Sequence, residues 1–336
     1  MPFDDIIGHE RQVENLRRAL EADRLPHAYI FLGPEGIGKK TVAYALGMSL
    51  FCAERKFDSC GRCPNCKRIR EGNHPDVRLV EPLEGKKEIS IQQIRELERQ
   101  LAFRSFYGRR KIAIIDPADL LNYHSQNCLL KTLEEPPGEA VLILIARQIR
   151  GLLPTVLSRC LRLWFSPPPV EKVAQALVRL NGMPEDRAGI VAALTRGSMG
   201  DALSDDVQEL LSARQEWLDR LSALSSSDYG AVFALAEELA ADKEKMLLWI
   251  RWLEGWCWDV LRHQAAEPDS VCNVDMIANV RKEAVLYDID DTLFILAQLQ
   301  ALGPALQRNY NRRLMLERFL IGLAQRRRRT ARLQKA

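Results

Sequence analysis

With 336 residues, the chain has room for two or three domains. It is 47% hydrophobic and 28% charged, which suits a globular chain with sizeable cores, and no apolar run reaches the ~18 residues of a membrane span. The opening Met1-Pro-Phe-Asp-Asp5 has neither the basic nor the apolar region of a secretion signal, so the expectation is a cytoplasmic protein with no membrane contact. The net charge of +3 hides an asymmetry: residues 307–336 hold ten basic residues against Glu317 alone, leaving 38 basic and 44 acidic residues elsewhere. The run Arg326-Arg-Arg-Arg329 thus belongs to a tail, read either as a solvated helix end or as a contact for nucleic-acid phosphates.

In chain order, a polar helix over about Glu10–Asp23 leads into the short apolar strand Ala28–Leu32. Gly33-Pro-Glu-Gly-Ile-Gly-Lys39 follows, then a helical stretch over Thr41–Phe51. Strand, glycine loop and helix are the setting of a phosphate loop, in which backbone N–H groups crowd around phosphate and Lys39 supplies a point charge. Gly33, Gly36, Gly38 and Lys39 are the candidate nucleotide-binding residues. The next position normally carries a Ser or Thr hydroxyl for Mg²⁺, and here it is Lys40. Thr41 has a hydroxyl one residue late, rotated by about 100° around the helix.

Cys52, Cys60, Cys63 and Cys66 come next, spaced C-x₇-C-x₂-C-x₂-C. Disulfides are unexpected in a cytosolic chain, and paired thiolates at this spacing suit one tetrahedral ion. Four sulfurs with no open position imply a structural Zn²⁺, so residues 52–66 read as a zinc module. Further strands are expected at Asp76–Val80, Lys111–Ile115 and Ala140–Ile145, continuous apolar runs of the kind covered on both faces in a parallel sheet. Ser166-Pro-Pro-Pro169 reads as a linker. Beyond it the segments are helical, with turns at Asn181-Gly182 and Arg196-Gly-Ser198. Trp249, Trp252 and Trp256 fall on one helix face and read as core or subunit interface.

The hydrolytic parts are then missing one after another. Asp116 ends a strand where a carboxylate would hold Mg²⁺, but the next residue, expected to be the acid that activates water, is Pro117. Asp119 is a weak stand-in. The fourth strand exits through Ala146 and Arg147 where a small polar residue usually positions water, and Gly200 stands where related ATPases carry a phosphate-sensing arginine. Arg159, in Leu153-Pro-Thr-Val-Leu-Ser-Arg-Cys160, is the one surviving residue with a catalytic assignment. An arginine of this kind can be supplied in trans, where it is worth roughly 10³–10⁵ in rate. A surface arginine in a salt bridge is the alternative.

The whole pattern resembles the clamp-loader AAA+ family. Ile7-Gly-His-Glu10, Leu25-Pro-His-Ala-Tyr29 and the cysteine insert resemble the opening of its subunits. Asp116-Pro-Ala-Asp119, Asn127-Cys-Leu-Leu-Lys-Thr-Leu-Glu-Glu-Pro-Pro137, Ser158-Arg-Cys160 and Asn309-Tyr-Asn-Arg-Arg-Leu-Met-Leu-Glu317 extend the resemblance over nearly the whole chain. It implies an α/β AAA+ P-loop domain (1–165), a small helical lid domain (166–205) and an all-helical collar domain (206–336). It further implies a non-hydrolysing stator of the DNA polymerase III clamp loader, with Arg159 reaching ATP on a neighbouring tau/gamma ATPase subunit. The delta subunit would be another partner, and the sliding clamp and primed DNA would be met through the complex. ATP or ADP binding by Gly33, Gly36, Gly38, Lys39, Thr41 and Asp116 is permitted. Two other readings stay open: an active ATPase motor subunit, which Pro117 opposes, and a zinc-dependent nucleic-acid-binding protein using Lys56, Arg62, Lys67, Arg68 and Arg70 around the cysteines.

Overall fold

Strands without a polar side need helices on both faces, and the first half of the chain supplies them. The computed structural model describes all residues except 109, 225–228, 266–270, 307–310 and 334–336, and only the backbone of 303–306 and 327–333. The chain divides into two compact units, one comprising 1–176 with 197–200 and the other 177–196 with 201–336. The first holds strands β1 (Ala28–Leu32), β2 (Val77–Val80), β3 (Arg110–Ile115), β4 (Glu139–Ala146) and β5 (Leu161–Trp164). They form one parallel sheet in the order β2-β3-β4-β1-β5.

Alternate residues of each central strand feed separate cores. Tyr29, Phe31, Val141, Ile143 and Ile145 pack on one side with helices α1 (Glu10–Glu21), α2 (Lys39–Phe51) and α3 (Pro64–Arg70). Ala28, Ile30, Leu32, Leu142 and Leu144 pack on the other, against α4 (Ile91–Ala102), α5 (Tyr123–Glu134) and α6 (Pro154–Leu157). This two-faced burial is why those runs are apolar throughout. Ser90 and Gln93 close a capping box at the start of α4, and the Asn122 side chain accepts the Ser125 N–H to start α5.

The four strands expected from the sequence are present, but the sheet has a fifth. β5 is an edge strand whose Leu161, Arg162 and Trp164 are exposed, so it never acquires the continuous apolar run that marks its neighbours. Ser166–Pro169 is no free-running linker. A Cβ on Gly197 would stand 2.2 Å from the Pro168 carbonyl oxygen, and one on Gly8 would stand 2.9 Å from the Pro168 ring.

Beyond β5 the described elements are helical, as expected, and the α-helices among them are α7 (Val170–Asn181), α8 (Glu185–Leu194), α9 (Met199–Ala202), α10 (Asp205–Ala223), α11 (Tyr229–Ala241), α12 (Lys243–Gln264), α13 (Ile277–Leu286), α14 (Ile289–Leu306) and α15 (Arg312–Leu333). The second unit has its own core. Trp249, Trp252 and Trp256 are buried in it, with Trp217 and Phe319 against them at ring separations of 5.4 and 6.2 Å from Trp252 and Trp249. The stripe is core, because indoles at three- and four-residue spacing share the inward face of α12. The side chains of the arginine tail beyond Arg326, and residues Asn309 and Tyr310, lie outside the described residues.

Candidate functional site

The loop after β1 lies at the carboxyl ends of the parallel strands, where open α/β sheets place their ligands. Glycine is required at its tightest points. Gly36 and Gly38 have φ of 74° and 104°, and a Cβ on Gly33 would stand 2.3 Å from the Phe165 carbonyl oxygen. The loop is braced from behind by His9, a buried residue whose Nε2 lies 2.7 Å from the Ile37 carbonyl oxygen and whose ring meets Phe165 edge-on at 5.0 Å. Burial holds the His9 imidazole below its ordinary pKa.

Lys39 is buried and turned inward, its Nζ donating to the carbonyls of Gly33, at 2.6 Å, and Pro34. Burial lowers its pKa, opposed by the nearby carboxylates of Asp116, Glu35 and Asp119. Lys40 extends from the first turn of α2 toward two strand ends. Its Nζ lies 2.6 Å from Glu81, just past β2, and 4.0 Å from Asp116, just past β3. Lys40, rather than Thr41, therefore makes the contact with Asp116. Burial raises the Asp116 carboxyl above the usual carboxylate range, against the pull of Lys40 and Lys39. The Asp116–Pro117 peptide bond is cis.

Around the same loop, Arg147 pairs with Glu35 at 2.5 Å, and its backbone N–H lies 3.4 Å from Asp119 Oδ1. Gly200 packs onto the loop directly: its N–H donates to the Gly36 carbonyl at 2.9 Å, and a Cβ there would stand 2.9 Å from Gly36 Cα. The sequence-predicted residues Gly33, Gly36, Gly38, Lys39 and Asp116 do converge. Glu35, Glu81 and His9 join them without having been foreseen. Glu81 is separated from Lys40 by 41 positions and carries no local signal.

Arg159 lies elsewhere. It precedes β5, and β5 runs parallel to β1, so Arg159 sits at the amino-terminal rim of the sheet while the loop sits at the carboxyl-terminal rim. Four strand residues, about 13 Å, lie between those rims. Its guanidinium pairs with Glu134 at 2.5 Å and donates to the Thr155 carbonyl at 3.0 Å. Glu134 belongs to the Leu-Glu-Glu-Pro-Pro segment that ends α5, so two of the marked sequence blocks meet here.

The four cysteines form a second centre, with ligand atoms all within 4.8 Å of one another. Cys52 caps the end of α2, Cys63 is the N-cap of α3, and Cys66 sits in the first turn of α3. Backbone N–H groups of Arg55 and Cys60 point at the Cys52 sulfur at 3.3 Å, and that of Cys63 points at the Cys60 sulfur at 3.2 Å. Burial drives the Cys63 thiol upward, but N–H groups of its neighbours and the adjoining thiols bring it down to about 6. Tetrahedral Zn²⁺ at 2.3 Å from each sulfur needs S···S edges of about 3.8 Å, so the donor set fits such an ion.

Two family models match the chain, one described as DNA polymerase III, delta subunit, over residues 8–169, and one as DNA polymerase III, delta subunit, C terminal, over residues 208–325. DNA polymerase III subunit delta' of Bacillus subtilis (strain 168) is 32% identical over 286 residues, covering 82% of this chain and 84% of that protein. Its counterpart in Pseudomonas aeruginosa is 31% identical over 303 residues, covering 88% and 90%. DNA polymerase III subunit tau/gamma of Haemophilus influenzae is 34% identical over 208 residues, 60% of this chain but 30% of that protein. The tau/gamma likeness thus takes in a smaller share of both chains, whereas the delta' likeness runs through most of each. The chain belongs to the DNA polymerase III subunit delta' family.

Proposed function

We propose that this protein is the non-hydrolysing stator of the replicative clamp loader, and that it lends Arg159 to ATP bound by a neighbouring tau/gamma subunit. The observation that carries the reading is the polarity of the sheet: Arg159 and the chain's own phosphate loop occupy opposite rims. An arginine so placed has no nucleotide of its own to serve. A guanidinium can share the charge that develops on a transferring phosphoryl group. Glu134 holds the side chain meanwhile through a half-exposed ion pair, an interaction worth only about 0–1 kcal/mol and readily exchanged for a polyphosphate.

Within its own loop the glycine cradle and Lys39 permit ATP or ADP, but Pro117 offers no base and Lys40 no hydroxyl, so bound nucleotide is not turned over. The cysteines hold a structural Zn²⁺ at Cys52, Cys60, Cys63 and Cys66. Residues 1–165 act as the AAA+ domain, 166–205 as a lid and 206–336 as a collar that joins the tau/gamma and delta subunits in the cytoplasm. The sliding clamp and primed DNA are met through that complex.

The test is Arg159→Ala in a complex reconstituted with tau/gamma and delta. The variant should fold and assemble, and lower DNA- and clamp-stimulated ATP hydrolysis by about 10-fold or more at the adjacent site. Arg159→Lys should fail to rescue, since an ammonium lacks the planar fork. Unchanged hydrolysis and clamp loading by Arg159→Ala would refute the trans assignment.

A further inference from the structure

Among the described residues, the charged groups facing the phosphate loop are three cations, Lys39, Lys40 and Arg147, and four carboxylates, Glu35, Glu81, Asp116 and Asp119. Asp116 and Glu81 are hard oxygen donors of the kind Mg²⁺ selects. Asp116 is held in place, its N–H bonded to the Val80 carbonyl at 3.0 Å, which fixes the ends of β2 and β3 side by side. Mg²⁺ nevertheless does not fit. The Lys40 ammonium stands 2.6 Å from Glu81 and 4.0 Å from Asp116, has no lone pair to offer a metal, and would repel a second cation brought to the same carboxylates.

We infer that Lys40 is a tethered substitute for the divalent ion, neutralising Asp116 and Glu81 and keeping metal out of the phosphate loop. The charge that an ATPase borrows from solution is built into this chain one residue after Lys39. The loop therefore keeps its shape with no metal present, and deleting the ammonium uncovers a latent divalent site whose ligands already converge. This goes beyond the stator reading and does not depend on it, because no role of Arg159 enters.

The experiment titrates Mn²⁺, followed by its electron paramagnetic resonance, into the full-length protein. Mn²⁺ binds nitrogen, oxygen and sulfur sites less tightly than Zn²⁺ does, so the cysteine cluster is left alone. The proteins compared are the wild type, Lys40→Ser, the nearly isosteric Lys40→Met, Asp116→Asn and the double variant Lys40→Ser/Asp116→Asn. The wild type and Asp116→Asn should bind alike. Lys40→Ser and Lys40→Met should each gain one site, at least about tenfold tighter than any in the wild type, and the double variant should lose it. A gain in both single variants identifies removal of charge, not arrival of a hydroxyl, as the cause. Asp116-dependent Mn²⁺ binding in the wild type would overturn the inference. So would the absence of a gain in whichever Lys40 variant is folded by circular dichroism, which would leave Lys40 an ordinary surface ion pair.

Discussion

Replacing Gly200 with alanine puts one methyl group where two backbones touch. Gly200 lies within the short helix α9, so alanine meets no conformational objection from the backbone. The objection is space. The added Cβ would stand 2.9 Å from Gly36 Cα and 3.1 Å from the Gly36 oxygen, against the 3.5–4.0 Å of an ordinary carbon contact. Neither neighbour is the tip of a flexible side chain, so α9 or the loop must move, straining the 2.9 Å bond from the Gly200 N–H to Gly36. Overpacking of this kind costs about 1–3 kcal/mol. For a unit of this size that lowers its melting temperature by roughly 2–12 °C. Scanning calorimetry of Gly200→Ala reads the shift, with Gly189→Ala as the matched control. Gly189 lies within α8 with no atom within 4 Å of an added Cβ, so the same substitution should stabilise there by up to about 1 kcal/mol. A Gly200→Ala protein melting at or above the wild-type temperature would refute the contact. Gly200→Arg begins from the same Cβ and should inherit the penalty rather than restore a phosphate sensor.

The purified, reduced protein should carry about one Zn²⁺ per chain by elemental analysis, and Cys63→Ser should lose it while the parallel sheet stays folded; well under one equivalent in the wild type would sink the assignment. Stability should also depend on pH through the two buried histidines. Burial holds His9 and His74 below the ordinary 6.5, so the unfolded chain binds more protons just beneath that value. Their contribution is therefore complete above pH 6.5 and is lost as the pH falls through the depressed folded values. His9→Gln should shrink the fall in denaturant midpoint between about pH 7 and pH 5 without abolishing it, since His74 remains. An identical fall in wild type and variant would count against a neutral His9 under the loop.

Features written in adjacent residues were the readable ones. The glycines of the phosphate loop follow from backbone conformations that only glycine adopts cheaply, and the cysteine cluster follows from thiol spacing along a helix end, a turn and a helix start. The tryptophan face of α12 follows from helical periodicity. What was missed is non-local or half-buried. Edge strand β5 keeps three of its four residues exposed and so lacks an apolar run. Helix α4 is the local exception, since Ser90 and Gln93, three residues apart, spell its capping box. The partnerships of Lys40 with Glu81 and Arg147 with Glu35 join distant segments, and nothing in the local pattern of either segment announces the other.

The tryptophan distribution splits the molecule optically. Five of the six indoles belong to the second unit, where Trp252 and Trp256 stack at 6.1 Å and Trp217 lies 5.4 Å from Trp252. The sixth, Trp164, stands alone and exposed at the end of β5. Indole emission from the whole chain is therefore dominated by the helical unit, blue-shifted where Trp217, Trp249, Trp252 and Trp256 are buried and modulated by energy exchange among close rings, with exposed Trp258 the exception. A variant with those five indoles replaced by phenylalanine would leave a single solvent-facing reporter on the sheet edge that Arg159 introduces. The proposed docking of a neighbouring subunit against that edge should then register as a change in one residue's emission.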